Sequence, residues 1–567
     1  MNETGRPWKA EARGEKSKVG TSKSTAWILI GLICLSTVSG LARDAGPDRD
    51  YVGPAQALAS TRPLQTIRLT TGTLTEGPEI VSLTSTPMTA FVVSVSDAIL
   101  TALENNRSLA VQRLNPAIRR TGEDVARAAF DPDLTAGISQ SQDKTEQKSA
   151  ATGKTMVTRT ERTAASIGVS EFLPTGTNIG LNLTTQRNET EGAGDQSNSR
   201  IELAITQALL RGAGLNVNLA TLRQARLDTE VSQYELRGVV ETLVAQVEET
   251  YWDYSLAKAQ MKIFTDSLKL AEAQLAETEE RIKVGKLAPT ELPAAQAEVA
   301  LRHENVINGR STLLTTRLNM LRLLSPESSD LWSQDLVLKD EPATPTVVFG
   351  EVTSHVQVAL RWRPDLNQAR LAIQRSEIDL VVTRNGLLPK LDTFITLGGT
   401  GYADSFGGSV RAEDGKTRDL LVGLNFEYPL LNRAARARNQ KSRLSRDQVE
   451  EALANTGQLV EVDVRSAYIE VNRAAEQVAA TAATRKLQEE VLRAETEKLR
   501  IGKSTSILVA RAQRDLLSAQ IDEVKAVVAH LKALVELWRL EGSLLERRGI
   551  IAPGRYPVSE APPRRKP

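Results

Sequence analysis

Two halves of this chain repeat one pattern, and that repeat constrains the fold more than any other feature. IKVGKLAPTELPAAQAEV (282–299) aligns with LRIGKSTSILVARAQRDL (499–516). Gly285 matches Gly502, Lys286 matches Lys503 and Tyr251 matches Tyr468, all at an offset of 217 residues. Leu209-Leu210 pairs with Leu430-Leu431 at 221, whereas Leu109/Leu366, Pro132/Pro389 and Leu134/Leu391 pair at 257. The first copy therefore carries about 40 extra residues, most of them between Pro132 and Leu209. An ordered series of matches marks duplicated structural units rather than unrelated domains.

Each copy reads helix, strands, long helix, tight turn, helix. Ser96 to Ala129 keeps helical periodicity, and Asn216 to Val284 runs without a proline. In that run Leu236, Val240, Leu243, Val247, Tyr251 and Tyr254 recur at spacings of four and three, the seam of a coiled-coil-like helix. Such a helix would reach roughly 100 Å at 1.5 Å per residue. Gly285 ends it and Pro289 opens the return helix, to about Leu324. Arg433 to Ile501 is the matching long helix of the second copy. The shorter helices before the strands and after the turn, placed end to end, would cover one long helix.

The segments between helices alternate. TNIGLNLTT (177–185) sets Ile179, Leu181 and Leu183 against Asn178, Gly180 and Asn182, and LVGLNFEYPLL sets Val422, Leu424, Phe426 and Tyr428 against Gly423, Asn425 and Glu427. IELAIT (201–206) and LDTFITLG (391–398) alternate less cleanly. One apolar face fits either a half-solvated sheet or a membrane barrel. SIGVSEFLPTGTNIGLNLTT fits either two additional strands or a hairpin standing above a barrel.

The N-terminus has the build of a secretory signal. A basic leader is followed by the apolar run AWILIGLICL, with Gly40 and Ala42 at small-x-small positions. Ten apolar residues are short of the roughly 20 that a spanning helix needs. Cys34 is the sole cysteine, and bulky Ile33 before it argues against a lipid anchor. Export thus comes without reliance on disulfides. Export and the glycine-rich linkers favour the barrel, the form in which strands cross lipid without unpaired backbone. The expected domains are a signal (1–42), an extended arm (43–90), a first repeat (91–330), a second repeat (331–546) and a disordered tail (547–567).

Composition narrows the function. With 71 Lys and Arg against 70 Asp and Glu, the chain lacks the basic excess of a nucleic-acid binder. His303, His355 and His530 have no ligand spacing, and no nucleophile, base and orienter set stands out. No cofactor, metal site or enzymatic activity is expected. GKST (502–505) looks like the end of a phosphate loop, but Glu497 stands where the first glycine should be and the motif follows a helix. Tyr251, Trp252 and Tyr254 read as inter-helix packing, and His303 and His530 as surface or lumen residues of the return helices.

RIKVGKLAPTELPAAQAEV, KLRIGKSTSILVARAQRDL, RPDLNQARLAIQRSEIDLVVTRNGLLPKLD and TQALLRGAG together resemble the TolC family of outer-membrane efflux proteins, over about residues 91–546. The resemblance implies a mainly α fold with β structure: a homotrimer whose long helices form an α-barrel in the periplasm and whose strands share one β-barrel in outer-membrane lipid. It implies a passive exit duct of a tripartite efflux or type I secretion system, coupled through a periplasmic adaptor to an inner-membrane pump. The family's acidic entrance positions, carried over, fall on Glu291 in the first copy and on Leu508 and Arg511 in the second. The second copy thus lacks the acid, and Arg511 is expected either to pair with Glu291 or to stay solvated. Gly285, Lys286, Gly502 and Lys503 become candidate adaptor-docking residues at the helix tips. Rival functions are a periplasmic coiled-coil adaptor, which has a single hairpin, and a structural coiled coil, which needs no strands.

Overall fold

The computed structural model describes residues 91–148, 153, 155–190, 193–324, 335–344, 350–411 and 417–558. The signal and the arm lie outside the described residues.

The first repeat opens with strand β1 (Phe91–Val93) and helices α1 (Val95–Asn105), α2 (Arg107–Arg113) and α3 (Asn115–Arg127). Four strands follow: β2 (Asp133–Lys148), β3 (Thr155–Leu173), β4 (Thr177–Thr190) and β5 (Ala193–Ala208). Then come α4 (Leu215–Asn218), the long helix α5 (Ala220–Lys283) and the return helix α6 (Leu292–Leu324). The second repeat comprises β6 (Leu336–Leu338), α7 (Val352–Trp362), α8 (Pro364–Asn385), β7 (Lys390–Ala403), α9 (Phe406–Arg411), β8 (Arg418–Glu427), the long helix α10 (Arg433–Arg500), α11 (Ser506–Leu540) and α12 (Leu544–Arg547).

The expected single helix over 96–129 is three helices. The Asn106 side chain accepts from the Leu109 amide and caps α2, and Pro116 opens α3, so local capping overrides the periodicity. Both long helices end within a residue or so of where the sequence places them. The end-to-end arrangement also holds: α3 and α6 pack on α5, and α8 and α11 pack on α10. In addition, α8 and α11 both touch α5, which joins the two repeats side by side.

The coiled-coil seam of α5 is the main core. Leu236, Val240, Leu243, Val247, Tyr251 and Tyr254 are all buried, together with Met320 and Leu324 of α6. The tyrosines do more than pack helices. Tyr251 Oη donates to the Val93 carbonyl at 3.2 Å and Tyr254 Oη donates to the Leu336 carbonyl at 3.0 Å. They thereby hold the parallel pair β1–β6, which ties the start of each repeat to the other.

Two sequence expectations are corrected. His530 is buried, not a surface or lumen residue: it lies within the α10–α11 hairpin beside Val471, and burial lowers its pKa. Residues 547–558 are packed rather than a free tail. Ala552 is buried in the α5 core, Tyr234 Oη donates to the Tyr556 carbonyl, and the Val558 amide donates to Asn367 at 2.9 Å. Ala552 is the buried anchor of this segment, while Ile551 and Tyr556 stay exposed.

Candidate functional site: a one-faced sheet and two helix tips

Six strands form one antiparallel sheet in the order β2-β3-β4-β5-β7-β8. Its register aligns the apolar residues into rungs. One rung runs Leu134, Val169, Leu181, Leu203, Leu397, Leu420, one residue from each strand. A second runs Ile179, Ile205, Ile395, Val422, with the charged Glu171 of β3 at its end, and a third Ala136, Ile167, Leu183, Ile201, Gly399. Successive side chains point to opposite faces, so the intervening residues line the other side. There the rungs read Thr135, Gly168, Asn182, Glu202, Gly398, Asp419 and Ser166, Thr184, Arg200, Thr400. The apolar face is bare: Ile138 and Leu134 on the first strand and Leu420 and Leu424 on the last are 65–82% exposed. A soluble sheet would cover that face with helices, whereas a sheet in lipid leaves it open and turns its polar face to water.

The polar face carries an ion cluster. Arg200 of β5 lies across Gly398 of β7, where a side chain would collide with it, and donates to Asp419 of β8 at 2.9 and 2.7 Å and to Glu202 at 3.1 Å. The charges at this level satisfy one another and link the strands of the two repeats. Sequence analysis missed the cluster, because only the register brings residues 200 and 419 together.

The sheet also has two free edges, since β2 and β8 do not pair with each other. Unpaired edges are not tolerated in lipid. With an even number of antiparallel strands, a β8 edge and the β2 edge of a second copy placed beside it would be antiparallel, so the geometry permits edge-to-edge pairing.

At the opposite end stand the two helix tips. Gly285 (φ 73°) and Gly502 (φ 74°) adopt the left-handed conformation that favours glycine. Their hydrogen bonds match: Gly285 N to Ile282 O at 2.9 Å and Lys286 N to Arg281 O at 2.8 Å in one, Gly502 N to Leu499 O at 3.0 Å and Lys503 N to Lys498 O at 2.8 Å in the other. Both are Schellman caps, which explains why a glycine recurs at each turn and disposes of the phosphate-loop alternative. Lys286 and Lys503 are exposed at the very ends. In the second tip Ser504 donates to Glu495 at 2.7 Å; hydrogen bonds from Lys498 and Ser504 hold that carboxyl below its usual range.

Between the tips lies a groove of about 600 Å3, lined by Leu287, Glu291, Ala294, Leu499, Ser506 and Ile507 among others. Within one copy Glu291 does not meet Arg511. It accepts a 2.5 Å hydrogen bond from Ser506 Oγ, which bridges the two return helices. Arg511 is exposed, and Leu508 is 46% exposed. Ser506 opens α11, and sequence alignment alone gave it no role.

A bare one-faced sheet, opened at both edges and carried on two long helical hairpins, defines one chain's share of a membrane channel. The chain belongs to the outer membrane efflux protein family, whose model matches residues 161–325 and 355–543. This is the family that the two turn motifs resemble. The pyoverdine export outer membrane protein OpmQ of Pseudomonas putida is 24% identical over 323 residues, 55% of this chain and 64% of that protein. The chain thus spans a little under two thirds of that relative. Among solved structures, that of CusC matches with a TM-score of 0.60 at 16% identity, covering 81% of this chain and 95% of CusC. The Campylobacter jejuni CmeC outer membrane channel matches with a TM-score of 0.58 at 15% identity, covering 79% of this chain and 86% of CmeC. These likenesses show the fold.

Proposed function

We propose that this chain is the outer-membrane exit duct of a tripartite efflux or type I secretion system, built as a homotrimer and coupled through a periplasmic adaptor to an inner-membrane pump. The observation that carries this is the sheet: one apolar rung crosses all six strands and its two edges stay open. Copies that join edge to edge form a barrel in outer-membrane lipid, and the helical hairpins extend it as a tunnel through the periplasm. Cargo crosses in water, so the chain performs no chemistry and the pump supplies the energy.

A second feature supports assembly. Helix α10 has two apolar stripes. Val460, Val464, Ala467, Val471 and Ala474 are buried against its own chain. Leu459, Val462, Ile469, Leu487 and Val491 lie on roughly the opposite side at 100° per residue and stay 47–66% exposed. A neighbouring copy covers the second stripe.

The tips are the entrance. The groove around Glu291 and Ser506, with Leu508 and Arg511 close by in sequence, is the gate, and Gly285, Lys286, Gly502 and Lys503 present the surface on which the adaptor docks. Opening means separating the return helices that Ser506 and Glu291 bridge, a switch between two packings. The relatives named above, the pyoverdine export protein among them, support an export role.

Cell fractionation and electrophysiology test this together. The protein should appear in the outer membrane, run as a heat-sensitive trimer on unheated gels and form pores in planar bilayers. A soluble periplasmic monomer without pore activity would refute it.

A further inference from the structure

The two repeats do not contribute equally to the sheet. The second supplies β7 and β8, joined through α9; the first supplies β2, β3, β4 and β5. The ends of the matching segments align across the repeats: Pro132 and Leu134 of β2 with Pro389 and Leu391 of β7, and Leu209 after β5 with Leu430 after β8. The surplus of about 40 residues in the first copy is therefore the β3–β4 hairpin, inserted between two strands that the duplication alone would have made neighbours.

We propose that this hairpin is part of the barrel wall, and that it widens the outer-membrane exit of the duct for bulky, water-soluble cargo. The inference rests on the channel function proposed above and concerns the size of cargo that the exit admits.

Three observations carry it. First, β3 and β4 run the full height of the sheet. β3 pairs with β2 from Asp133↔Ser170 to Lys148↔Thr155, and β4 pairs with β5 from Thr177↔Gln207 to Thr190↔Ala193. Second, the hairpin keeps the lipid-facing pattern. Val169 and Leu181 stand in the rung that joins Leu134 to Leu203, and Ile167 and Leu183 stand in the next. A hairpin standing above the membrane would gain nothing from apolar residues at those levels. Third, its turn is fastened at the helical end. The Ala208 amide donates to the Gly176 carbonyl at 3.0 Å, the Gly214 amide to Thr175 at 3.2 Å, and Asn218 Nδ2 to Pro174 at 3.1 Å. Gly176 sits at φ +89°, and a side chain there would lie 2.4 Å from the Gly212 carbonyl oxygen, so the turn is built for this seat. Two strands locked between β2 and β5 over their whole length cannot swing out as an appendage.

Six strands per copy give eighteen in a trimer, against twelve if the first repeat had kept the two strands of the second. Barrel diameter grows roughly linearly with strand number, so the cross-section rises about twofold, into the range of porins that hold an aqueous channel. The polar face of the hairpin, with Ser166, Asn182 and Thr184, extends the hydrophilic lining. A wider exit places the size limit on cargo at the helix tips rather than at the outer membrane.

The test is to image the intact trimer in lipid nanodiscs by electron cryomicroscopy, and to compare it with a variant in which residues 145–192 are replaced by Asn-Gly. That replacement sets Lys144 opposite Ala193 and restores Leu134 opposite Leu203 in one rung. The native ring should show eighteen strands with β3 and β4 in the wall, and the shortened ring twelve. In planar bilayers, polyethylene glycols added from the extracellular side should enter the native exit at sizes that the shortened one excludes, with a cross-section smaller by about twofold. A native trimer with a twelve-strand wall and the hairpin outside it overturns this inference and leaves the duct standing. A protein that forms no ring in the membrane overturns both. If the shortened variant does not assemble, the strand count of the native ring decides alone.

Discussion

The long helices α5 and α10 are equivalent in the duplication, yet they live in different surroundings. Helix α5 buries residues along most of its first half and carries the β1–β6 pair, the α12 turn and the packed segment 550–558. Helix α10 buries six residues and leaves a second apolar stripe bare. Charges differ in the same way. On α5, Arg237 binds Glu241 at 3.0 Å and Glu546 at 2.7 Å, and Glu248 is held by Arg548 at 2.5 Å, with Arg237, Glu241 and Glu248 all buried. On α10 the pairs Arg465–Glu461 and Arg473–Glu470 are about half exposed. One repeat is covered by its own chain, and the other leaves an apolar stripe exposed, which the proposed assembly would cover.

The sharpest way to break this contrast is on α10. Ile469→Glu should abolish the trimer, because it puts a charge in each of three interfaces, where one buried isoleucine is worth roughly 1.5–3 kcal/mol. The monomer should keep its circular dichroism spectrum. A normal heat-sensitive trimer would show that the second stripe faces water.

On α5 the corresponding cut is Arg548→Ala. It leaves Glu248, which is fully buried, without its partner, and should cost about 3 kcal/mol. Arg473→Ala on α10 should cost no more than ~1 kcal/mol, as exposed pairs do. Urea melts of the two variants, compared with the parent, measure the difference.

A pH titration should move the two repeats differently. Desolvation raises the Glu241 carboxyl to about 7, against the opposing pull of Arg237. A raised carboxyl pKa gives stability that is full below the unfolded value near 4.5 and is lost as pH rises through about 7. Between pH 5 and 8 the α5 core should therefore weaken, by up to ~3 kcal/mol at about 1.4 kcal/mol per pKa unit. Glu241→Gln should flatten that dependence in thermal melts at the two pH values. An unchanged slope would mean that Arg237 keeps the carboxylate ionised throughout.

At the tips the repeats are nearly alike, and effects should be smaller. Gly502→Val forces a branched residue into φ 74°, at a cost of roughly 1–2 kcal/mol, with open space around it. Export should fall while the trimer and its membrane insertion survive; equal loss of both would remove the tips from the docking step. The smallest effect should come from Glu291→Ala, which removes the bond to Ser506. It should raise bilayer conductance modestly, and Ser506→Ala should do the same. If neither changes conductance, helix packing alone closes the entrance.

Much of this molecule was legible along the chain. The duplication, the long helices, their glycine-capped ends and the alternating strands are all local patterns, set by side-chain period and by the conformations glycine permits. The breaks at Asn106 and Leu114 were less visible, because a cap competes with periodicity over only one or two residues. The two glycine-capped helix tips were legible by motif, but the partner of Glu291 was not. Ser506 lies 215 residues away and meets it only where two return helices start side by side.

What the sequence determined by itself was therefore the inventory of elements and their repetition. The tertiary structure decided which elements share a sheet and which charges are buried. It set β3 and β4 between β2 and β5, joined Arg200 to Asp419 across a strand, drew His530 and Ala552 into the core, and left the edges of β2 and β8 open. The physical reason is range. Helix and strand periodicity is fixed by neighbours a few residues apart, whereas strand order, burial and ion pairing depend on contacts whose closing entropy only the packed whole can offset.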